Sequence, residues 1–540
     1  MRSISILIVS ATICISVVFS GTADDKESKA GQHETPYDFK GVRTLEDSKG
    51  VTEFAFSPNG RVLAGGINDQ DASTGQLRFW DPTSGKKIGG TFPNQKLSQE
   101  RAAIISNLAF LDDKTVAAGF GTSVVRMWSY LEGNELPPLD FKRRVERWAI
   151  APGLIAVATC DGGPAVILAS GPPWKVKWFT HYNGMPGQPF LPISIALSHD
   201  RTKVAVATGA SDSEVGIFAV KDGHPIRTVE YQSLELMRPW IAYSPMGHDF
   251  AVTSGRMRVK KGWYGSIQIW NHEMTNRKSQ TGWGDIDDPK ESASCAYGCL
   301  FTPDGKMVVV PCEGGMVRLY EAYTGGLRQT AHVPDPASFA LSPTGSLLAI
   351  LTNDGVTLFD WRIHASESVE VLDARRLSTL WDALAAPDSS LAYKSMLALE
   401  SSPTNAVQML GEKMKPVPAL QAETVKKLIM NLGSDDFLTR EEATKELGTL
   451  GHAVEQELLA ATQSDMPESR DRATRLLMLL ERRNNPSEWR DLRAVEVLEY
   501  INTPESQELL KRLASGAASA RLTVDAKAAL ERLAAMKQKP

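Results

Sequence analysis

Seven times between residues 40 and 365 the chain repeats one pattern: an apolar strand, a tight Ser-Pro-x-Gly-like turn, a second apolar strand of small residues, a loop, and a strand ending in an aromatic side chain. The first copy reads VTEFAFSPNGRVLAGG and then QLRFWDPTSGKKI, the sixth CLFTPDGKMVVVPCEGGMVRLYEAYTGG, and the seventh SFALSPTGSLLAILTNDGVTLFDW. Looser copies are NLAFLDDKTVAAGF, WAIAPGLIAVATC, IALSHDRTKVAVATG and IAYSPMGHDFAVTSG. Their turns begin at Ser57, Leu111, Ala151, Ser198, Ser244, Thr302 and Ser342. Pro fixes φ at the second turn position and Gly or Asn takes the positive φ that closes the hairpin. Alternating Val, Ile and Phe on either side ask for burial on both faces. A lone unit cannot supply that, so the copies must pack against one another.

The aromatic strand ends are Trp80-Asp81, Trp128-Ser129, Phe218-Ala219, Trp270-Asn271, Tyr320-Glu321 and Phe359-Asp360. These residues resemble the WD40 repeat, although only the first pair has the full dipeptide and the family's upstream Gly-His is essentially missing. The resemblance implies a seven-bladed WD40-type β-propeller over residues 37–365. It also implies ring closure by an N-terminal strand: Arg43-Thr44-Leu45, preceded by Gly41, matches the fourth-strand position before the first unit. That strand is expected to complete the seventh blade and leave no open edge.

From about residue 366 the apolar period changes from two to 3.6. Val425, Leu428, Ile429 and Leu432 form one stripe, and Ala473, Leu476, Leu477 and Leu480 a second. Ala494, Val497, Leu498 and Ile501 form a third, and Ala526, Ala529, Leu530 and Leu533 a fourth. Helix starts are signalled by Ser402 before Pro403, by Ser487, and by Thr503 before Pro504-Glu505. LGSDDFLTREEATKELGTLGHAVEQELLAAT resembles a HEAT-type repeat, with Arg440 and Ala443 at that family's Arg and small-residue positions. The fold class expected is therefore multidomain β plus α, the propeller followed by an all-α HEAT-like helical repeat domain over 366–540. With 540 residues and 42% hydrophobic content, there is material for both cores.

In a four-stranded antiparallel blade the a–b and c–d turns share one face of the ring and the b–c and d–a connections the other. The a–b and c–d turns are short in every unit; the long segments, 67–75, 92–103, 179–191, 228–239, 255–265 and 273–293, belong to the opposite face. Phe179, Tyr182, Met185, Phe190, Met237, Trp263, Tyr264 and Trp283 lie there and are the candidate partner-binding residues, because rigid aromatic side chains bury much area for little lost entropy. Trp240, in the strand a pattern, is expected to pack instead.

Arg2, the apolar stretch Ile4 to Phe19, and small Gly21 and Ala23 read as a signal peptide over residues 1–23, with cleavage after Ala23 preferred and Ser20 the rival site. An uncleaved anchor is the alternative. No later segment is expected to span a membrane. A linker expected to be disordered covers 24–36. Export would place the chain in the periplasm or outside the cell, where Cys295 and Cys312 are spaced for a cross-strand disulfide if Phe301 and Met307 flank a hairpin turn.

A net charge of −5 gives no global attraction for phosphate backbones. The basic stretches 141–148 and 256–264 are read as solvated strand faces, and nucleic acid is not expected as a partner. No metal-ligand set, no Gly-x-Ser-x-Gly and no phosphate-cradling loop is present in the sequence. No catalytic residue, metal or cofactor is assigned. The expectation is a non-catalytic scaffold for protein partners, similar to bacterial exported WD40 proteins with helical tails. The alternatives are a propeller enzyme or small-ligand binder using the central channel, and a structural envelope component.

Overall fold

The computed structural model describes residues 39–537, except 70–73, 93–104, 161–164, 182–191, 209–213, 231–238, 247–248, 260–261, 272–276, 284–295, 313–314, 334–337, 345, 363–371, 419–421, 483–484 and 519. The segments read as signal peptide and linker lie outside the described residues.

Seven four-stranded antiparallel sheets follow one another. In order of strands a to d, blade 1 is Val51–Phe56, Leu63–Asp69, Thr74–Trp80 and Lys87–Phe92; blade 2 is Asn107–Phe110, Thr115–Gly119, Val124–Ser129 and Glu135–Asp140; blade 3 is Arg147–Ala151, Leu154–Thr159, Ala165–Ser170 and Lys175–His181. Blade 4 is Pro192–Leu197, Lys203–Thr208, Glu214–Ala219 and Pro225–Glu230; blade 5 is Trp240–Tyr243, Asp249–Val259, Gly262–Asn271 and Arg277–Trp283; blade 6 is Leu300–Phe301, Met307–Cys312, Met316–Glu321 and Leu327–His332. Blade 7 takes Phe339–Leu341, Leu347–Thr352 and Gly355–Asp360 from the end of the repeats and its fourth strand, Lys40–Thr44, from the start. The a strands adjoin from blade 7 through blade 1 and on to blade 6, and blades 6 and 7 share a core of Val309, Leu319, Leu348 and Phe359. This is a closed seven-bladed β-propeller.

Five of the seven a–b turns are opened by a Ser or Thr; those of blades 2 and 3 open with Leu111 and Ala151. Ser57, Ser198, Ser244, Thr302 and Ser342 are buried. The Ser57 hydroxyl donates to Asn59 Oδ1 at 2.8 Å, Ser198 to Asp200 at 2.6 Å and Thr302 to Asp304 at 2.5 Å. Each also accepts the amide of the first residue after the turn: Val62, Lys203 or Met307. A hydroxyl placed there fills the hydrogen-bonding gap where the ladder opens. Asp81, the Asp of the single full dipeptide, caps its own c–d turn, accepting from the Thr83 amide and the Ser84 hydroxyl.

Ten α-helices follow among the described residues: α1 (Ala374–Ala383), α2 (Ser389–Glu400), α3 (Pro403–Lys413), α4 (Ala422–Asn431), α5 (Phe437–Leu450), α6 (Glu455–Ala461), α7 (Pro467–Arg482), α8 (Pro486–Ile501), α9 (Pro504–Ala514) and α10 (Arg521–Lys537). They form two cores, not one uninterrupted stack. The stripes of α4 and α7 meet in a core with Ala443, Leu447 and Leu458. The stripes of α8 and α10 return to pack on α1, α2 and α3 around Trp381, Met396, Leu410 and Leu510. Helices α4–α7 thus form an insertion between α3 and α8.

Thr503 caps α9 as its sequence implies. The cap of α8 is Asn485, two residues before Ser487, because Pro486 occupies the first helical position and Ser487 hydrogen-bonds back to the Asn485 side chain. Among the described residues no helix is long and apolar enough to cross a membrane.

Candidate interaction interface

Helix α8 is buried almost all round, from Leu492 to Glu499. One side joins the helical core; the other carries Arg493, Glu496, Glu499 and Tyr500 against blade 6. The partners there are Glu321 at the end of strand c, Arg328 on strand d, and Asp304 and Lys306 in the a–b turn. All of them lie at the short-turn side of the blade.

Glu321, Arg328, Arg493 and Glu496 are completely shut off from solvent. Arg493 donates from Nη2 to Glu321 Oε2 at 2.6 Å and from Nε to Oε1 at 3.0 Å. Its Nη1 reaches the Leu384 and Ala386 carbonyls, both at 2.7 Å. Arg328 donates to Glu321 Oε1 at 2.7 Å and bridges to both oxygens of Glu496 at 2.8 and 3.0 Å. Thr324 and Ser389 hydroxyls complete the shell of Glu321. Two cations, two carboxylates and saturated lone pairs make this burial tolerable. Burial alone would raise the Glu321 carboxyl, but Arg328 and Arg493 outweigh it and hold it at about 2.

Beside this quartet, Lys306 Nζ donates to Glu499 at 2.9 Å and Arg532 of α10 grips the same carboxylate at 2.7 and 2.8 Å. Tyr500 donates to Asp304 at 3.1 Å, and the Arg362 guanidinium stacks 3.7 Å from the Tyr500 ring centre. Glu400, at the end of α2, is pushed up to about 8 by burial, with Arg362 opposing. Its Oε1 is buried and without a hydrogen-bond partner. None of these residues is among the candidates expected from sequence. The available signal was α8 itself, whose charges at i, i+3 and i+6 sit opposite an apolar stripe, leaving no solvent-facing side.

The helical region therefore occupies the short-turn side of the ring at blades 5 to 7, Met246 in the blade 5 turn included. Of the partner-binding candidates, Tyr182, Met185, Phe190 and Met237 lie outside the described residues. Phe179, Trp263, Tyr264 and Trp283 are on strands, not in loops. Strands b and c of blade 5 continue their ladder outward as a long hairpin, with Met257 opposite Tyr264 and Arg258 opposite Trp263, because paired backbone satisfies what an open loop would leave to water. Trp283 ends strand d, opposite Gly265. Phe179, on strand d of blade 3, is 40% exposed; the Arg143 guanidinium lies 4.5 Å from its ring centre and His181 meets it edge-on at 4.6 Å. Arg143 comes from the d–a connection of blade 2, so this cluster joins two blades. Trp240 packs partly buried against the core of blades 5 and 6.

The other sequence signals resolve locally. In the basic stretch 141–148, Lys142 pairs with Asp140 and Arg144 with Glu146. Ala296 bridges across to buried Cys312, and Cys295 lies outside the described residues. Among the described residues no group of three or more His, Cys, Asp or Glu side chains is placed to hold a metal ion. On the inner strand of blade 1, burial pushes Glu53 up to about 7, with Arg147 of the blade 3 inner strand opposing.

The family model described as WD domain, G-beta repeat matches residues 39–81, the closing strand and the first three strands of blade 1. No curated protein matches the chain. Among solved structures it is similar to a chain of "Crystal Structure of Mitotic Checkpoint Complex", at 14% identity and a TM-score of 0.44, covering 64% of this chain and 98% of that one. It is also similar to a chain of Kuenenia stuttgartiensis hydrazine synthase, at 15% identity and a TM-score of 0.47, covering 60% of this chain and 99% of that one.

Proposed function

We propose that the chain is a non-catalytic, protein-binding scaffold exported to the cell envelope, engaging partners through the face that carries the b–c and d–a connections, with the helical region as a second surface. One observation carries the reading. The helical region is bound to the short-turn side of blade 6 by a fully buried ion network, which supports the opposite side of the ring as the one left to a partner. Phe179, backed by Arg143 and His181, marks the rim of that face. The signal-like segment at residues 1–23 supports export.

Crosslinking of the chain in its native envelope, followed by identification of the attached peptides, tests the proposal. Partner peptides are expected on the long-connection face. Replacing Tyr182, Trp263 and Trp283 with Ala is expected to weaken that capture without changing ring stability; undiminished capture overturns the assignment of the face. Recovery of the chain only in a large assembly, with no discrete partner, favours a structural envelope role instead. A second reading, a small-ligand site on the inner strands, draws support from the Glu53 and Arg147 relationship. Ligand binding lost in Glu53→Gln would favour it.

A further inference from the structure

The a strands are the ones that approach each other at the middle of the ring, and their residues stand level from blade to blade. Ala55, Ala109 and Ala149 pair with Ala64, Ala117 and Ala156, and Ala196, Ala242 and Ala340 hold the same register in blades 4, 5 and 7. All six stay half-buried on these innermost strands. The centre of the ring is therefore an open channel, with small side chains keeping it clear.

Two residues earlier, toward the d–a connections, blades 1, 2 and 3 carry Glu53, Asn107 and Arg147. The other four blades carry Ser194, Trp240, Gly298 and Ser338 at that level. The level thus holds one carboxylate, one guanidinium and no further charge.

Neither charge neutralises the other by contact. Glu53 makes no hydrogen bond or ion pair among the described residues, and its oxygens are open to solvent, unlike Glu400 Oε1, which is shut away. Arg147, whose Nη1 donates to the Glu146 carbonyl at 2.9 Å, acts on Glu53 through space, across the inner strand of blade 2. Asn107 stands on that strand; its Nδ2 donates to Ser106 Oγ at 3.1 Å, which leaves Oδ1 as a second acceptor on the blade next to Glu53. Burial pushes the Glu53 carboxyl up to about 7, with Arg147 opposing. A carboxylate so poorly solvated gains most from a cationic donor brought to it.

A lone cation at Glu53 would stand in the field of Arg147, and a lone anion at Arg147 in that of Glu53. A molecule that carries both charges matches each group and adds no net charge to a poorly solvated channel. We infer that this level of the channel binds a small zwitterion of the amino-acid class, its ammonium on Glu53 and Asn107 Oδ1 and its carboxylate on Arg147. The inference rests on the small-ligand reading above and gives that site its ligand chemistry. The ring of alanines leaves room for the chain that joins the two charges.

Calorimetric titration of the full chain with glycine, β-alanine, γ-aminobutyrate and ε-aminocaproate, beside the matching alkylamines and carboxylates, tests the inference and reads the spacing of the two charges. At least one zwitterion is expected to bind, and its single-charge analogues to bind roughly tenfold or more weakly. Glu53→Gln and Arg147→Gln should each weaken the zwitterion by a similar factor. Crossing ligand with variant reads the pairing: the carboxylate analogue should lose nothing further on Glu53→Gln, nor the amine on Arg147→Gln. Among the described residues Arg147 is the charged group that acts on Glu53. Affinity should therefore fall as pH drops from about 8 to 6, because a proton competes with the ammonium for Glu53, and Glu53→Gln should abolish that dependence. Thermal unfolding establishes that each variant folds, and the comparison of analogues on the unaltered chain needs no variant. The inference is overturned by zwitterions that bind Glu53→Gln and Arg147→Gln undiminished, or by an amine that binds as tightly as its zwitterion. A diverse fragment set screened on the same chain tests the small-ligand reading separately: fragments lost on Glu53→Gln, with no zwitterion bound, keep that reading and overturn the inference.

Discussion

Arg493 of α8 holds both carboxylate oxygens of Glu321 in blade 6, at 2.6 and 3.0 Å, with both side chains completely buried. Residues 172 positions apart thus fix the helical lobe to the ring. Removing one partner strands the other charge in a dry site, which costs about 3–5 kcal/mol. Arg493→Ala is expected to lower the unfolding free energy by that order and to loosen the helical lobe first. Arg493→Lys should recover only part, since an ammonium cannot make the forked contact or reach the Leu384 and Ala386 carbonyls together. Denaturant unfolding followed by tryptophan fluorescence, with limited proteolysis to locate the first cuts, measures both.

The same interface makes stability depend on pH in two windows. Glu321 is held at about 2, below its ordinary value of 4.5, so its contribution is fully present above pH 4.5 and is lost as pH falls toward 2. Glu400 has the opposite sign. It is raised to about 8, so the folded chain keeps a proton that the unfolded chain has already released, and stability declines as pH rises from 4.5 to 8. Glu400→Gln is expected to remove that second decline and to raise the melting temperature at pH 8 more than at pH 5. Equal shifts at the two pH values would show that Glu400 ionises freely.

Blade count, turn positions and ring closure are legible because each is written in local chemistry: a Ser or Thr that opens five of the seven turns, the Pro, Gly, Asn or Asp that shape them, and an aromatic that ends the third strand in six blades. The interface was not. Glu321 stands where the repeat places an Asp, and nothing near it in sequence reveals that Arg493 is its partner, because ion pairs over such separations leave no periodic trace. Trp263 and Tyr264 read as loop residues because a ladder running past its blade, as from Ser254 to Val259 opposite Gly262 to Ser266, looks in sequence like any polar excursion.

Ring closure depends on a single strand brought from the other end of the repeats. Lys40–Thr44 pairs with Gly355–Asp360, Leu45 donates to the Val356 carbonyl, and the Ser48 hydroxyl accepts the Val356 amide. The Trp80 indole donates to the Glu46 carbonyl at 2.6 Å, tying the closing segment to blade 1. Deleting residues 37–48 is expected to expose the strand Gly355–Asp360 as an edge and to abolish the cooperative melt of the whole ring, with aggregation seen by light scattering.

Gly355 is a sharper probe of the same join. Its φ of 121° is strained for any side chain, and a Cβ there would lie 2.4 Å from Ser48 Oγ and 3.1 Å from the Ser48 backbone. Gly355→Ala is expected to cost about 1–3 kcal/mol by strain, without altering the helical core. Thermal unfolding compared with Gly451→Ala, another positive-φ site with open space around its Cβ, separates the clash from the backbone term.

The insertion contains a repeat that its sequence spells out and only its contacts explain. Arg440 donates to the Ser434 carbonyl and Arg470 to the Ser464 carbonyl, both at 2.7 Å; Ala443 and Ala473 are buried, and Thr444 and Thr474 bond back to the Arg440 and Arg470 carbonyls. Each Arg spans the turn before its helix, satisfying a carbonyl that the preceding helix end leaves open. Arg440→Ala and Arg470→Ala are each expected to cost about 1–3 kcal/mol, the value of a charge-assisted hydrogen bond. Because the insertion has a core of its own, the loss should be local: amide exchange should accelerate in α4–α7 while α8 and blade 6 keep their protection. Faster exchange spreading equally through α8 would mean that the two helical cores unfold as one.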